Sequence, residues 1–323
     1  MQTIYYSLTD SIDKNRIFPF RERGCIVVLG LFDGVHIAHR ELISVGKRLA
    51  LEKGLPLVIF TFSADSPMLK PGTERIYTDK EKLSLLAHCG ADFTVISDFE
   101  SLRGTSGGDF AKKILIDGMN ARHFVCGYNF RYGRNAEGDS ESLLSTFLGE
   151  SRCGTVVEEI KYKGEAVSST RIREAIASPD MKEAAALLGL PYFICGRTGH
   201  GVGLGRQMGI PTVNIDLNAD RSSPRRGVYA SLVKLGGEVY PALTNVGTCP
   251  TFGEREIHTE TFILDFEGDV YGEKITVYFI DYLRDEKKFS SEKELIMQIM
   301  IDKTNAIRIL EDLKWQEIGQ SLQ

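Results

Sequence analysis

Two histidines, His36 and His39, stand three residues apart in GLFDGVHIAH (Gly30 to His39), directly after the apolar run CIVVL (Cys25 to Leu29). A spacing of i, i+3 puts both imidazoles on one face of a starting helix. A helix N-terminus behind a glycine-bracketed turn offers backbone N–H groups and the positive end of a dipole, which suits phosphate. Neutral or cationic histidines there can donate hydrogen bonds to a phosphoryl oxygen as charge develops in a transition state. Taken alone, the segment reads equally as a tight strand-to-helix turn with incidental histidines.

Three further stretches carry chemistry-bearing residue types. SSTRIR (Ser168 to Arg173) can cap a helix over Thr170 to Ala177, with Arg171 and Arg173 as cationic forks for phosphate. GYNFRYGRNAEGD (Gly127 to Asp139) sets Asn129 and Arg131 among aromatic rings fit for stacking. GRTGHGVGLGRQMGIPTVN (Gly196 to Asn214) fits neither the dinucleotide-binding nor the P-loop glycine pattern, yet so glycine-rich a loop can wrap phosphates with its N–H groups. Its Thr212 hydroxyl and Asn214 amide carbonyl are hard oxygens suited to magnesium. In IHTETFILDF (Ile257 to Phe266), strand alternation puts His258, Glu260 and Phe262 on one face and Thr259, Thr261 and Ile263 on the other. A carboxylate held on an interior face can accept a hydroxyl proton during phosphoryl transfer, and a solvent-facing glutamate is the alternative.

These residues need elements to hold them. From residue 25 to about 160, β-branched runs alternate with amphipathic stretches, the pattern of parallel strands joined by crossover helices. Cys25 to Leu29, Pro56 to Phe62, Phe93 to Ser97 and His123 to Gly127 read as strands. His36 to Lys53, Asp79 to Cys89 and Gly107 to Asp117 read as helices. Ligands of such a sheet bind at the carboxyl ends of its strands, where Gly30 to His39 and Gly127 to Asp139 fall. After residue 190 the texture turns to strands broken at Gly236-Gly237 and Gly268-Asp269, which predicts an antiparallel small barrel. A terminal helix from Ser291 to about Lys314 would pack on it through Leu295, Ile296, Ile299, Ile309 and Leu310. The fold class expected is α/β: a doubly wound parallel sheet over residues 1–186 and an antiparallel barrel with a terminal helix over 187–323.

The 323 residues suffice for two domains with their own cores. With 42% hydrophobic and 26% charged residues the chain is neither disordered nor fibrous. A net charge of −5 argues against a generic nucleic-acid binder, so anionic ligands must be held by local sites. The six cysteines form no CxxC pair and no zinc-ligand cluster, and read as reduced thiols. No apolar run approaches membrane-spanning length, so the expected compartment is the cytoplasm.

In order and separation, these motifs resemble the prokaryotic bifunctional riboflavin kinase/FMN adenylyltransferase family, also called FAD synthetase, from about residue 17 to about residue 312. The first half is similar through Gly30 to His39, Gly127 to Gly133 and Ser168 to Arg173. The second half is similar through the glycine-rich loop with PTVN, GVY (Gly227 to Tyr229), NVGTCPTF (Asn245 to Phe252), the Glu260 strand and LRDEKKF (Leu283 to Phe289). The resemblance implies a nucleotidyltransferase-like variant of the Rossmann sheet and two reactions in series. Riboflavin would be phosphorylated to FMN with Mg-ATP, and FMN adenylylated to FAD with release of pyrophosphate.

The resemblance also implies roles. Glu260 would be the kinase base, and His36 and His39 would act at the α-phosphate. Gly30, Phe32, Asp33, Gly34, Ser168, Ser169, Thr170 and Arg171 would bind ATP in one half, and Gly201, Gly203, Gly205 and Arg206 in the other. Asn129, Phe130 and Arg284 would bind flavin, and Thr212 and Asn214 would hold Mg²⁺. The implied partners are small molecules, in a monomer or weak homo-oligomer. The chain departs from the family pattern at Leu31 and Ala38, in the histidine-free TFSADSP (Thr61 to Pro67), around Ala136, at Cys249 and at Phe262. Those departures motivate a second reading, a riboflavin kinase with a repurposed N-terminal domain. A flavin- or nucleotide-binding regulator without turnover is the third, and retention of His36, His39 and Glu260 counts against it.

Overall fold

Residue by residue, the computed structural model describes 1–8, 18–63, 73–199, 211–216, 221–248, 257–268 and 270–321. The chain divides into two compact units, Met1–Ser169 and Thr170–Gln323.

The first unit is built on six parallel strands: β1 (Gln2–Tyr6), β2 (Cys25–Leu29), β3 (Leu57–Phe62), β4 (Phe93–Ser97), β5 (Ala121–Gly127) and β6 (Cys153–Val157). Their order is β1-β4-β3-β2-β5-β6. Every residue of β2 is buried because the sheet is covered on both faces, which is why its sequence is a continuous apolar run. Helix α1 (Ile37–Lys53) crosses from β2 to β3 and ends at Gly54, whose φ of 62° supplies the left-handed stop. Helix α2 (Asp79–His88) opens on a capping box between Thr78 and Glu81. The helix expected near residue 107 starts at Gly107–Asp109 and continues with π-type hydrogen bonds over Phe110–Ile116, here called α3. Helix α4 (Ser140–Gly149) packs on β5 through Phe147 against Phe124, ring centroids 4.8 Å apart. Gly154 on β6 faces the same ring, which occupies the space a Cβ would need.

Sequence order runs outward in both directions from β2: β3 and β4 lie to one side, β5 and β6 to the other. That reversal leaves a crevice beyond the carboxyl ends of β2 and β5.

The second unit carries helices α5 (Ser169–Ala177) and α6 (Met181–Leu188), α5 beginning at the division between the units. Six antiparallel strands follow: β7 (Phe193–Arg197), β8 (Thr212–Asp216), β9 (Gly227–Leu235), β10 (Glu238–Thr248), β11 (Ile257–Ile263) and β12 (Lys274–Arg284). Their order is β7-β12-β9-β10-β11-β8. A bridge between Gly199 and Asn214 brings the two edges together, curling the sheet into a barrel. Gly236 and Gly237, with φ of 59° and 97°, make the tight turn from β9 to β10. The turn expected at Gly268-Asp269 falls partly on Asp269, outside the described residues.

Helix α7 (Glu292–Asp312) is capped by Ser291, and α8 (Trp315–Ser321) follows. Its most buried residues are Asp302, Ala306 and Leu310, while Leu295, Ile296, Ile299 and Ile309 are only half-buried. The seam differs from the apolar pattern because Arg284 of β12 grips Asp302 with Nε and Nη2, at 3.0 and 2.7 Å from Oδ2.

Candidate active sites

In the first unit, the chain leaves β2 at Gly30 and turns through Phe32, Gly34 and Val35 with φ of 54°, 86° and 44°. A β-branched valine in the left-handed region is strained, and the turn persists because Phe32 and Val35 are both fully buried. Asp33 is buried as well: its Oδ1 accepts from Ile76 N at 3.0 Å and its carbonyl accepts from Ser169 Oγ at 2.9 Å. The Asp33 side chain thus pins the turn. Any phosphate contact there falls to backbone N–H groups.

His36 is the N-cap of α1 and lies outside the helix, with ψ of 174°. Its Nδ1 accepts from His39 N at 3.3 Å, so the proton of the neutral ring sits on Nε2. The two rings stack 3.6 Å apart at 13°. Burial drives the pKa of His36 down to about 4 and holds that of His39 well below its ordinary value, so both rings are neutral at pH 7. His39 Nδ1 is buried and has no partner among the described residues.

Both histidines line a cavity of about 710 Å³ that occupies the crevice beyond β2 and β5. Its polar lining includes His36, His39, Ser168, Ser169, Glu158 and Glu159. Its aromatic lining forms a connected cluster: Phe130 stacks on Tyr132 with centroids 5.7 Å apart at 16°, Tyr132 meets Phe110, and Phe110 meets Phe60 edge-on. Asn129 and Arg131 stand in the same wall. The volume suits small-molecule ligands, and a lining that combines an aromatic cluster with polar side chains suits a planar ring system joined to phosphate.

In the second unit, Glu260 on β11 sits between Asn214 of β8 and Asn245 of β10, directly opposite each in register. Thr212 Oγ1 donates to Glu260 Oε1 at 2.6 Å. The opposite face of β11 is the interior one, where Thr259, Thr261 and Ile263 are buried and Thr244 and Thr261 share a hydroxyl hydrogen bond of 3.0 Å. Glu260 therefore lies on the half-buried face, held there by the Thr212 hydroxyl. Asn214 Nδ2 and His258 Nδ1 on that face are buried without a partner among the described residues. Gly201, Gly203, Gly205, Arg206 and Cys249 lie outside the described residues.

The riboflavin kinase family model matches residues 188–310, and the FAD synthetase model matches 19–171. The bifunctional riboflavin kinase/FMN adenylyltransferase of Bacillus subtilis is 35% identical, covering 90% of this chain and 93% of the relative. That of Escherichia coli strain K12 is 32% identical over 88% and 92%. A Streptococcus pneumoniae crystal structure described as a macrolide-efflux protein matches with a TM-score of 0.82 at 32% identity, over 94% of this chain and 98% of that one.

The chain belongs to the bifunctional riboflavin kinase/FMN adenylyltransferase family. It carries both domains and is a transferase with both activities. Riboflavin, FMN, FAD and ATP are the substrates and products of that family. Among the described residues no helix is long and apolar enough to cross a membrane.

The FAD synthetase half brings together Gly30, His36, His39, Asn129, Phe130, Ser168 and Ser169 on one cavity. Two arginines expected at ligands are otherwise engaged: Arg171 pairs with Glu183 of α6, and Arg284 with Asp302. Tyr132 belongs to the aromatic stretch that the sequence singles out, whereas the sequence reading missed Phe60 and Phe110. The spacing of Phe60 and Phe62 at the carboxyl end of a strand was the available signal. It also missed Asn245, which becomes a neighbour of Glu260 only through strand pairing.

Proposed function

We propose that the two activities are carried by separate sites, the kinase at Glu260 and the adenylyl transfer at His36 and His39. The observation that carries the reading is the Thr212–Glu260 hydrogen bond, which holds a charged carboxylate on the accessible face of β11 between two asparagines.

In the kinase half, Glu260 accepts the proton of riboflavin's terminal ribityl hydroxyl. That oxygen bonds to the γ-phosphorus of ATP as the bond to the β,γ-bridging oxygen breaks, leaving FMN and ADP. Thr212 orients the base through Oε1. A magnesium site fits the same residues by donor type: the Thr212 hydroxyl and the Asn214 amide carbonyl are neutral hard oxygens two residues apart on one face of β8, beside the Glu260 carboxylate. Thr212 and Asn214 would hold the ion, which supplies neutralisation of phosphate charge when bound with ATP.

In the adenylyltransferase half, an oxygen of the FMN phosphate bonds to the α-phosphorus of a second ATP and pyrophosphate leaves. His36 Nε2–H donates to an α-phosphate oxygen as charge builds there, and the stacked neutral His39 keeps that donor in place. The isoalloxazine ring lies in the slot of Phe60, Phe110, Phe130 and Tyr132, with Asn129 at its polar edge. Ser168 and Ser169 face the phosphates. The preference is for positioning and electrostatics over covalent catalysis.

In this reading residues 1–186 form the adenylyltransferase domain and 187–323 the kinase domain, which the family matches ending at 171 and starting at 188 support. The enzyme works in the cytoplasm, where ATP is supplied, as a monomer or weak homo-oligomer. The test is Glu260→Gln: FMN formation from riboflavin is lost, and FAD formation from supplied FMN persists.

A further inference from the structure

The first unit holds a buried cation that neither reaction as described uses. Lys82, in the first turns of α2, has a side chain only 4% exposed. Its Nζ donates to the carbonyl of Phe62 at 2.6 Å and pairs with Asp79 at 3.3 Å. Phe62 is the last residue of β3 and a wall of the cavity. The preceding residue, Thr61, donates from Oγ1 to Leu31 O at 2.9 Å, tying the same strand end to the turn that leads to His36. The ammonium therefore fixes the carboxyl end of β3 to α2, and with it the floor under the histidine turn.

Its charge reaches the histidines. Lys82 acts on His39 in the direction that disfavours a second positive charge, together with burial and His36. Asp79, Asp33 and Arg75 are the other charged groups that act on Lys82, and the two carboxylates support the ammonium while Arg75 opposes it. Burial presses Lys82 toward the neutral form, so a structure that keeps it there invests in that charge.

We propose that Lys82 is a positioning residue for adenylyl transfer, its ammonium fixing the Phe62 end of β3 and, through the Thr61–Leu31 hydrogen bond, the turn that carries His36 and His39. The proposal rests on the assignment of those histidines to the α-phosphate. Lys82 is not among the described residues that line the cavity. It acts through the strand end and through the field on the rings.

The test compares wild type, Lys82→Met, Lys82→Arg and His36→Ala in FAD formation from FMN and Mg-ATP between pH 4 and 8. Lys82→Met keeps the side-chain length without the charge. Its kcat falls on the order of 10-fold to 100-fold, as for a displaced catalytic group. Because a ring relieved of a neighbouring positive charge takes up a proton more readily, the acid limb moves up by at least about 0.5 pH unit. Lys82→Arg retains the charge and leaves the acid limb where it is in wild type. FMN formation from riboflavin is unchanged in all of them. An acid limb in Lys82→Met that coincides with wild type, whether or not the rate falls, reduces Lys82 to a structural residue and overturns the proposal. If Lys82→Met does not fold, a displaced acid limb in Lys82→Arg overturns it instead. Full FAD formation by His36→Ala overturns the site assignment itself, and the role of Lys82 with it.

Discussion

Glu260 and Thr212 meet diagonally across two antiparallel strands: the backbone register sets Glu260 opposite Asn214, and the hydroxyl of Thr212, two residues earlier on β8, reaches Oε1 at 2.6 Å. Diagonal neighbours on one face of a sheet are within reach of one another. One oxygen of the carboxylate is thus held by a neutral donor.

Thr212→Val removes the donor and keeps the shape. A hydrogen bond to a charged group contributes about 1.5–3 kcal/mol, so FMN formation falls roughly 10-fold to 150-fold. Loss of a magnesium oxygen adds a higher Mg²⁺ requirement. Initial rates at varied Mg²⁺ check both effects, and FAD formation from FMN serves as the unaffected control.

His36→Ala removes both the donor and the N-cap of α1. FAD formation falls about 10²-fold to 10³-fold, the cost of losing one preorganised donor to a transition-state oxygen. FMN formation stays at the wild-type rate. Chromatographic separation of the flavins reads both reactions in one sample.

Acid destabilises the first unit through the same residue. His36 titrates near 4 when folded and near 6.5 otherwise, so the unfolded chain binds the proton first. The stability this neutral ring contributes is complete above pH 6.5 and is lost as pH falls toward 4. Near pH 5 the loss is about 2 kcal/mol. Denaturant melts of the wild type from pH 7 to 5 show the decline, and His36→Gln makes it shallower.

Asp302→Ala leaves the Arg284 guanidinium without its carboxylate on the barrel surface of α7. Removing one partner of a largely buried pair costs about 3–5 kcal/mol, and the partial exposure of Arg284 reduces this to about 2–3 kcal/mol. Differential scanning calorimetry detects a lowered transition, with FAD formation at moderate temperature preserved.

Much of this molecule was legible in its sequence because the signals were local. Cys25 to Leu29 and Phe93 to Ser97 were read as strands at the observed bounds, since fully buried parallel strands are continuous apolar runs. Strand β1 was passed over because QTIYY is a short edge strand, half exposed, that exists by pairing with β4 ninety residues away. The histidine spacing pointed to the right turn. That His36 caps the helix from outside depends on backbone angles no spacing reveals.

Residues with two plausible uses were harder. The resemblance implies Asp33 at ATP, and in the structure its buried side chain also accepts from Ile76 N, a contact that spacing does not reveal. Arg284 reads as a flavin contact, and it binds an aspartate that the apolar pattern of α7 hides. Glu260 could not be given a face by alternation alone. The hydroxyl row of Thr244 and Thr261 decides it, because those side chains satisfy one another inside the barrel.

The central claim is that one chain performs two reactions at two separate sites. Purified flavin-free wild type and Glu260→Gln are each incubated with riboflavin and Mg-ATP, and separately with FMN and Mg-ATP, and the flavins are resolved by chromatography. The account predicts that wild type gives FMN and FAD from riboflavin and FAD from FMN, and that Glu260→Gln gives no product from riboflavin and FAD from FMN at the wild-type rate. Loss of both reactions in a folded Glu260→Gln protein, or absence of FAD from the wild type given FMN, would contradict it.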